Sequence, residues 1–247
     1  MGRIAYYFAA LALLLASGCT PLGESVARKT ENPSTISTLT GSISTNQGVE
    51  SEPAPTLDPS TREIIDKYGP TIRHYSERYG LDWRLILAMI KQESRFSPEA
   101  ESRKGAYGLM QIMPVTEAEV SRVLDLDDLS HPGNNIRGGI FYLRKLYGIF
   151  SSADDADRVK LALAAYNAGL SRVYDAQEIA EYLRDQPMKW EAVKDALPLL
   201  SKRYNTLHRN IWQQDRPRNG WFGNARQTIL YVESVMNYYD DYCLYLN

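Results

Sequence analysis

From Trp83 to Ile90 the chain is apolar on nearly every side of a helix: Trp83, Leu85, Ile86, Leu87, Ala88, Met89 and Ile90 follow one another with a single charged interruption at Arg84. A helix of that kind is stable only when other elements enclose it. Asp82 stands where an N-cap is expected. The cover has to come from further helices, because no segment sustains the period-two alternation of a strand. Apolar residues recur at helical spacing over 64–68 and 71–79, with Pro70 suited to the first turn of the second piece and Gly80 ending it. They recur again over 116–124, 135–150, 158–168, 190–200 and 225–242. There is no internal repeat. The expected fold class is therefore mainly α, as a single domain over 61–247.

The first sixty residues do not join that domain. Arg3 and the uncharged apolar run 4–16 are too short to span a bilayer and read as a signal peptide over 1–18. Ala16, Ser17 and Gly18 precede Cys19 in a pattern resembling the lipobox of bacterial lipoproteins, which implies acylation of Cys19. Thr20 follows the cysteine in place of an inner-membrane retention aspartate, so an outer-membrane lipoprotein facing the periplasm is expected. Residues 20–60 are rich in Ser, Thr, Pro, Gly and Asn and hold no aromatic residue. The stretch 19–60 is thus expected to be an anchor followed by a disordered tether, whose flexible part spans ~35 Å on average. With Cys19 acylated, Cys243 is left as a small buried hydrophobe.

Three histidines and two cysteines, without HExxH or CxxC, give zinc or thiol-redox chemistry almost nothing to work with. No metal and no cofactor is expected. A net charge of −2 argues against a nucleic-acid partner. Seventeen tyrosines against five phenylalanines and four tryptophans favour surfaces that stack and hydrogen-bond at once, which suits sugars.

Candidate chemistry begins at the end of the apolar helix. The spacing Leu85, Met89, Glu93 puts a carboxylate on the face of two core residues. Such a carboxylate is disfavoured in its charged form, so its pKa should rise and it could hold a proton near neutral pH, as a general acid must. The plainer alternative is a helix-terminal acid paired with Lys91 or Arg95. Downstream, Gly105 and Gly108 flank a stretch through Leu109, Met110, Gln111, Ile112 and Met113 that permits close backbone approach and offers one uncharged hydrogen-bonding side chain, in the manner of a cleft wall. Ala165, Tyr166, Asn167, Ala168 and Gly169 then end a helix, with Gly169 as its cap.

Glu-Ser at 93 and 94, Gly-Leu-Met-Gln at 108 to 111 and Ala-Tyr-Asn-Ala-Gly at 165 to 169 together resemble the lytic transglycosylase signature of the SLT domain, in order and near that spacing. Within this family the segments 68–115 and 190–201 are most similar to the catalytic module of its membrane-bound F members. The tether stands where those members carry a solute-binding-like domain. The resemblance implies a lysozyme-like fold and non-hydrolytic cleavage of the MurNAc-GlcNAc β-1,4 bond of peptidoglycan, giving 1,6-anhydro ends. It implies Glu93 as the catalytic acid and then base, Ser102 as the residue steering the substrate's N-acetyl group, and Gln111, Met113, Tyr166 and Asn167 as cleft residues. Tyr231 matches a C-terminal tyrosine that points at the acid. Leu170 and Ser171 replace a usual Pro-Gly, and His131 stands before Pro132 in place of Asp.

Simpler roles stay open for several of these: core packing for Met113 and Tyr231, and a loop serine for Ser102. Glu99 and Glu101 near the acid keep a hydrolytic muramidase in view, although they read more simply as solvated acids. A catalytically silent peptidoglycan-binding lipoprotein is the third reading. Six Lys or Arg against one Asp between Ser201 and Gln227 read either as a solvated face or as partners for stem-peptide carboxylates. The expected partners are peptidoglycan strands and, through the anchor, the membrane, with the protein a monomer.

Overall fold

The structure is a computed structural model describing residues 57–246. The signal peptide, Cys19 and all but the last four residues of the expected tether lie outside the described residues. Helix α1 (Pro59–Tyr79) opens on Asp58, whose carboxylate accepts from Thr61 N, and closes on Gly80 in the left-handed conformation. It starts two residues before the expected domain boundary. It also runs through Pro70 as one helix, where two pieces were expected. Proline removes one helical N–H and crowds the preceding turn. Here Pro70 faces solvent, so the freed carbonyl can be hydrated, and Gly69 before it has no side chain to meet the ring.

Helix α2 (Trp83–Ser94) is capped by Asp82 as expected and buries Leu85 through Ile90. It ends because Arg95 and Phe96 adopt positive φ, 51° and 69°. Glu93 is left in the last turn. Helices α3 (Pro114–Leu124), α4 (Pro132–Ile149) and α5 (Asp155–Ala168) follow. His131 caps α4, its Nδ1 accepting from Gly133 N at 3.3 Å. An imidazole nitrogen can do this only unprotonated.

Gly169, at φ 90°, ends α5 and at once starts α6 (Leu170–Tyr182), a helix the periodicity missed because its buried face carries the polar Asp175 and Gln177 among the apolar residues. The helix expected over 190–200 divides into α7 (Trp190–Ala196) and a 3-10 turn, Leu197–Leu200, around Pro198. The short α8 (Asn205–Trp212) was also not expected, and it buries His208 with Nε2 2.7 Å from Leu199 O. Helix α9 (Ala225–Tyr245) completes the fold. Among the described residues the only β pairing is two isolated bridges at Tyr107.

The core is continuous and is built around α2. Helix α9 lies along α2, α1 packs on α2 and α4, and α5 touches α4, α6 and α9. The apolar helix is thus enclosed as its composition requires. Cys243, expected to be buried, is only half-buried and sits against Tyr239.

Candidate active site

Glu93 is where α2, α9, the 100–113 loop and the end of α5 converge. Burial against these elements is the main influence on it and pushes its pKa up to about 7. One hydrogen bond works the other way: Tyr231, buried on α9, donates its hydroxyl to Glu93 Oε1 at 2.6 Å. Lys91 does not pair with Glu93. It reaches Asp58 at 2.9 Å, and Arg95 points to solvent. The ion-paired alternative for Glu93 is therefore not what forms.

The 100–113 loop is held in place by a buried side chain the sequence reading passed over. Asn135 on α4 accepts from Met110 N at 2.8 Å and donates to Tyr107 O and Leu129 O. Gly108, at φ 81°, makes room for it, since a Cβ there would lie 2.5 Å from the Asn135 amide. The close approach that glycine permits is thus to α4. Gly139 likewise admits Met110, which a Cβ would meet at 2.6 Å. Gln111, itself at φ 45°, donates its amide to Ala100 O and Gly108 O and tightens the loop.

The last turn of α5 ties this loop to α9. Tyr166 donates its hydroxyl to Met110 O at 2.8 Å, and its ring leans on Tyr142. Asn167 Oδ1 accepts from the buried Thr228 hydroxyl at 2.9 Å. Ser102 Oγ accepts from Ala106 N at 2.9 Å. Burial and the nearby Glu93 carboxylate both push the Tyr166 and Tyr231 hydroxyls well above the ordinary phenol range, so both remain protonated donors.

A cleft opens on either side of Glu93. One lobe, about 570 Å³, is lined by Glu93, Ser102, Gln111, Met113, Tyr166 and Asn167, with Arg103, Lys104, Asn224 and Gln227 among the rest. The other, about 520 Å³, is lined by Gln92, Glu93, Asn167, Arg226, Gln227, Leu230, Tyr231 and Ser234. All seven residues singled out in sequence thus border the cleft, with Tyr231 beneath the acid. Glu93 is the sole carboxylate among the described residues lining either lobe, and Glu99 and Glu101 line neither. Missed were Gln92, Arg103, Lys104, Asn224, Gln227, Leu230 and Ser234, while Arg226 was read only as one of the basic residues between Ser201 and Gln227. The signal for some was present, because Gln227, Tyr231 and Ser234 follow one another at helical spacing on one face of α9. The arrangement offers one protonatable carboxylate shared by two lobes, with amide and hydroxyl groups along their walls.

Residues 70–189 match the Transglycosylase SLT domain family. The chain is 36% identical over 179 residues to membrane-bound lytic murein transglycosylase F of Desulfosudis oleivorans, covering 71% of this chain and 36% of that protein. The protein of the same description from Pseudoalteromonas translucida is 37% identical over 181 residues, covering 72% of this chain and 35% of that protein. The chain thus spans about a third of the length of the curated relatives it matches. Among solved structures it is similar to lytic transglycosylase Slt of Pseudomonas aeruginosa, an inactive mutant with one glutamate changed to glutamine. The TM-score is 0.50 at 28% identity, covering 74% of this chain and 27% of that one. A 70-kDa soluble lytic transglycosylase, solved with bulgecin A, shares the fold at a TM-score of 0.50 and 24% identity, covering 75% of this chain and 26% of that one.

Proposed function

The chain belongs, through residues 70–189, to the transglycosylase SLT domain family, and on that premise we propose that it cleaves the MurNAc-GlcNAc β-1,4 bond of peptidoglycan without water, leaving 1,6-anhydro ends. The observation that carries this reading is the isolation of Glu93: one carboxylate, with its pKa pushed up to about 7, between two lobes that hold no second acid among the described residues. A hydrolase of the two-carboxylate kind needs a partner to activate water or attack the sugar. With a single acid, the nucleophiles come from the substrate.

In the proposed sequence protonated Glu93 gives its proton to the glycosidic oxygen, and the C1–O bond breaks as the GlcNAc hydroxyl leaves. The substrate's N-acetyl oxygen stabilises the cation at C1. Glu93, now a carboxylate, takes the proton from the C6 hydroxyl, whose oxygen closes on C1 and displaces the N-acetyl group. Glu93 ends protonated, as it began. Tyr231 steadies the carboxylate in the middle of this cycle, Ser102 borders the site for the N-acetyl group, and Gln111, Met113, Tyr166 and Asn167 form the walls. That the similar Pseudomonas aeruginosa protein is inactive with one glutamate changed to glutamine supports a glutamate in the central role.

The direct test is mass spectrometry of soluble products from purified sacculi treated with the full chain or with its Glu93→Gln variant. Anhydro-muropeptides from the wild type alone are the expected result. Reducing ends, heavier by one water, would assign hydrolysis, and turnover by a folded Glu93→Gln protein would remove Glu93 from the mechanism. A sacculus-binding protein that releases nothing would be a scaffold. Acylation at Cys19 and an outer-membrane location remain part of the proposal, supported by the "membrane-bound" description of the relatives. Loss of fatty-acid labelling in Cys19→Ser is the expected outcome.

A further inference from the structure

Asn167 is exposed and, like Glu93, lines both lobes of the cleft. What it offers there is decided by a side chain that lines neither. Thr228, in the first turn of α9, is 1% exposed, and its hydroxyl donates to Asn167 Oδ1 at 2.9 Å across the contact between α5 and α9. A side-chain amide has one accepting end and one donating end. With the oxygen held from within, the end left for the cleft is the nitrogen, which has N–H donors and no acceptor. The second amide of the wall is committed the other way. Gln111 gives its nitrogen to Ala100 O and Gly108 O, so its oxygen is the end that remains. The fold thus fixes the polarity of both amides before any substrate arrives.

Sugar hydroxyls both donate and accept, so they do not distinguish one end of an amide from the other. An acetamido carbonyl only accepts, and the ammonium of a de-N-acetylated sugar only donates. We propose that Thr228 is a positioning residue which locks Asn167 as a donor and so makes the cleft selective for GlcNAc carrying its acetamido carbonyl over the same sugar bearing a free amine. The inference rests on the peptidoglycan reading above. Without the Thr228 hydroxyl the Asn167 amide is free to turn over and present its oxygen to an ammonium. The selectivity then has no fixed sign, because a rotated amide satisfies either group. A site built with a fixed hydrogen-bonding group rejects the partner that leaves it unpaired more strongly than an adaptable one does.

The test compares the full-length wild type with Thr228→Val, Thr228→Ser and Asn167→Ala on two substrates: fully acetylated glycan strands, and strands de-N-acetylated at GlcNAc alone, since the reaction uses the muramic N-acetyl group. The readout is the ratio of kcat/KM on the two, followed through anhydro ends. The wild type should prefer the acetylated strands by about ten-fold or more, and Thr228→Val should cut that preference by about three- to ten-fold. Thr228→Ser, which keeps the hydroxyl, should retain it. Asn167→Ala should lose it, and adding Thr228→Val to Asn167→Ala should change the ratio no further. The melting curve of Thr228→Val should hold, because valine fills the same space and water can reach the Asn167 oxygen. If Thr228→Val melts early, the loss in Asn167→Ala and the retention in Thr228→Ser carry the test. A wild type indifferent to de-N-acetylation, full preference in Asn167→Ala, or a folded Thr228→Val whose ratio is unchanged overturns the inference and leaves the transglycosylase reading in place. A wild type that yields no anhydro ends from acetylated strands overturns that reading, and this inference with it.

Discussion

At the scale of the residue, Glu93 shows how one environment sets both a function and a cost. Its pKa is pushed from 4.5 to about 7, chiefly by burial. Between those values the folded protein holds a proton that the unfolded chain has released, so stability falls as pH rises through this window. Glu93→Gln removes the penalty. At pH near 8 the variant should be more stable than the wild type by about 1–3 kcal/mol, with the difference vanishing at pH near 4, as denaturant titrations at the two pH values would show. The same acid sets the pH profile, since the proton it must donate is lost above about 7. Tyr231 lowers the Glu93 pKa by donating to its carboxylate. In Tyr231→Phe the alkaline limb of the activity profile should therefore move to higher pH while the maximal rate falls, because the carboxylate formed in mid-reaction loses its donor. A rate loss with an unmoved limb would make Tyr231 a packing residue alone.

At the scale of the element, the cleft wall depends on helices it does not belong to. The 108–111 turn has Asn135 on one side and the Tyr166 hydroxyl on the other, and Met110 fits into the space that Gly139 leaves on α4. Gly139→Ala puts a Cβ 2.6 Å from Met110, and neither helix nor turn can yield without disturbing the other. A loss of about 1–3 kcal/mol is expected by thermal or denaturant unfolding, with a rise in KM as Gln111 and Met113 shift. Gly148→Ala, in the same helix with open space around the new Cβ, should instead be neutral or slightly stabilising, which separates close approach from a general need for glycine in α4.

At the scale of the whole molecule, α9 closes the fold and completes the site together. It lies along α2, buries Tyr231, Val232 and Val235 against it, and brings Gln227, Tyr231 and Ser234 to the cleft. A chain ended before Ala225 would expose the apolar face of α2 and leave Glu93 without its donor. It should show no cooperative unfolding transition by circular dichroism and no sacculus digestion. Retained folding with activity alone lost would mean that α9 serves the site and not the core.

Much of this was legible in the order of the residues. The apolar run from Trp83 to Ile90 could end only as an enclosed helix, its spacing placed Glu93 on the inner face, and Gly169 marked the end of α5 through its φ preference. These are local properties, set by helical period and by what each side chain permits its own backbone. Helix α6 was hidden because Asp175 and Gln177 interrupt the apolar pattern of its buried face. The unbroken run through Pro70 was hidden because it depends on which side of α1 meets solvent. What only the tertiary structure decided is the company each group keeps: that Lys91 goes to Asp58 and leaves Glu93 unpaired, that Tyr231 crosses from α9 to reach the acid, and that Asn135 holds a loop 25 residues before it in the chain. Burial and long-range hydrogen bonding belong to the packed chain, and no window of sequence contains both partners.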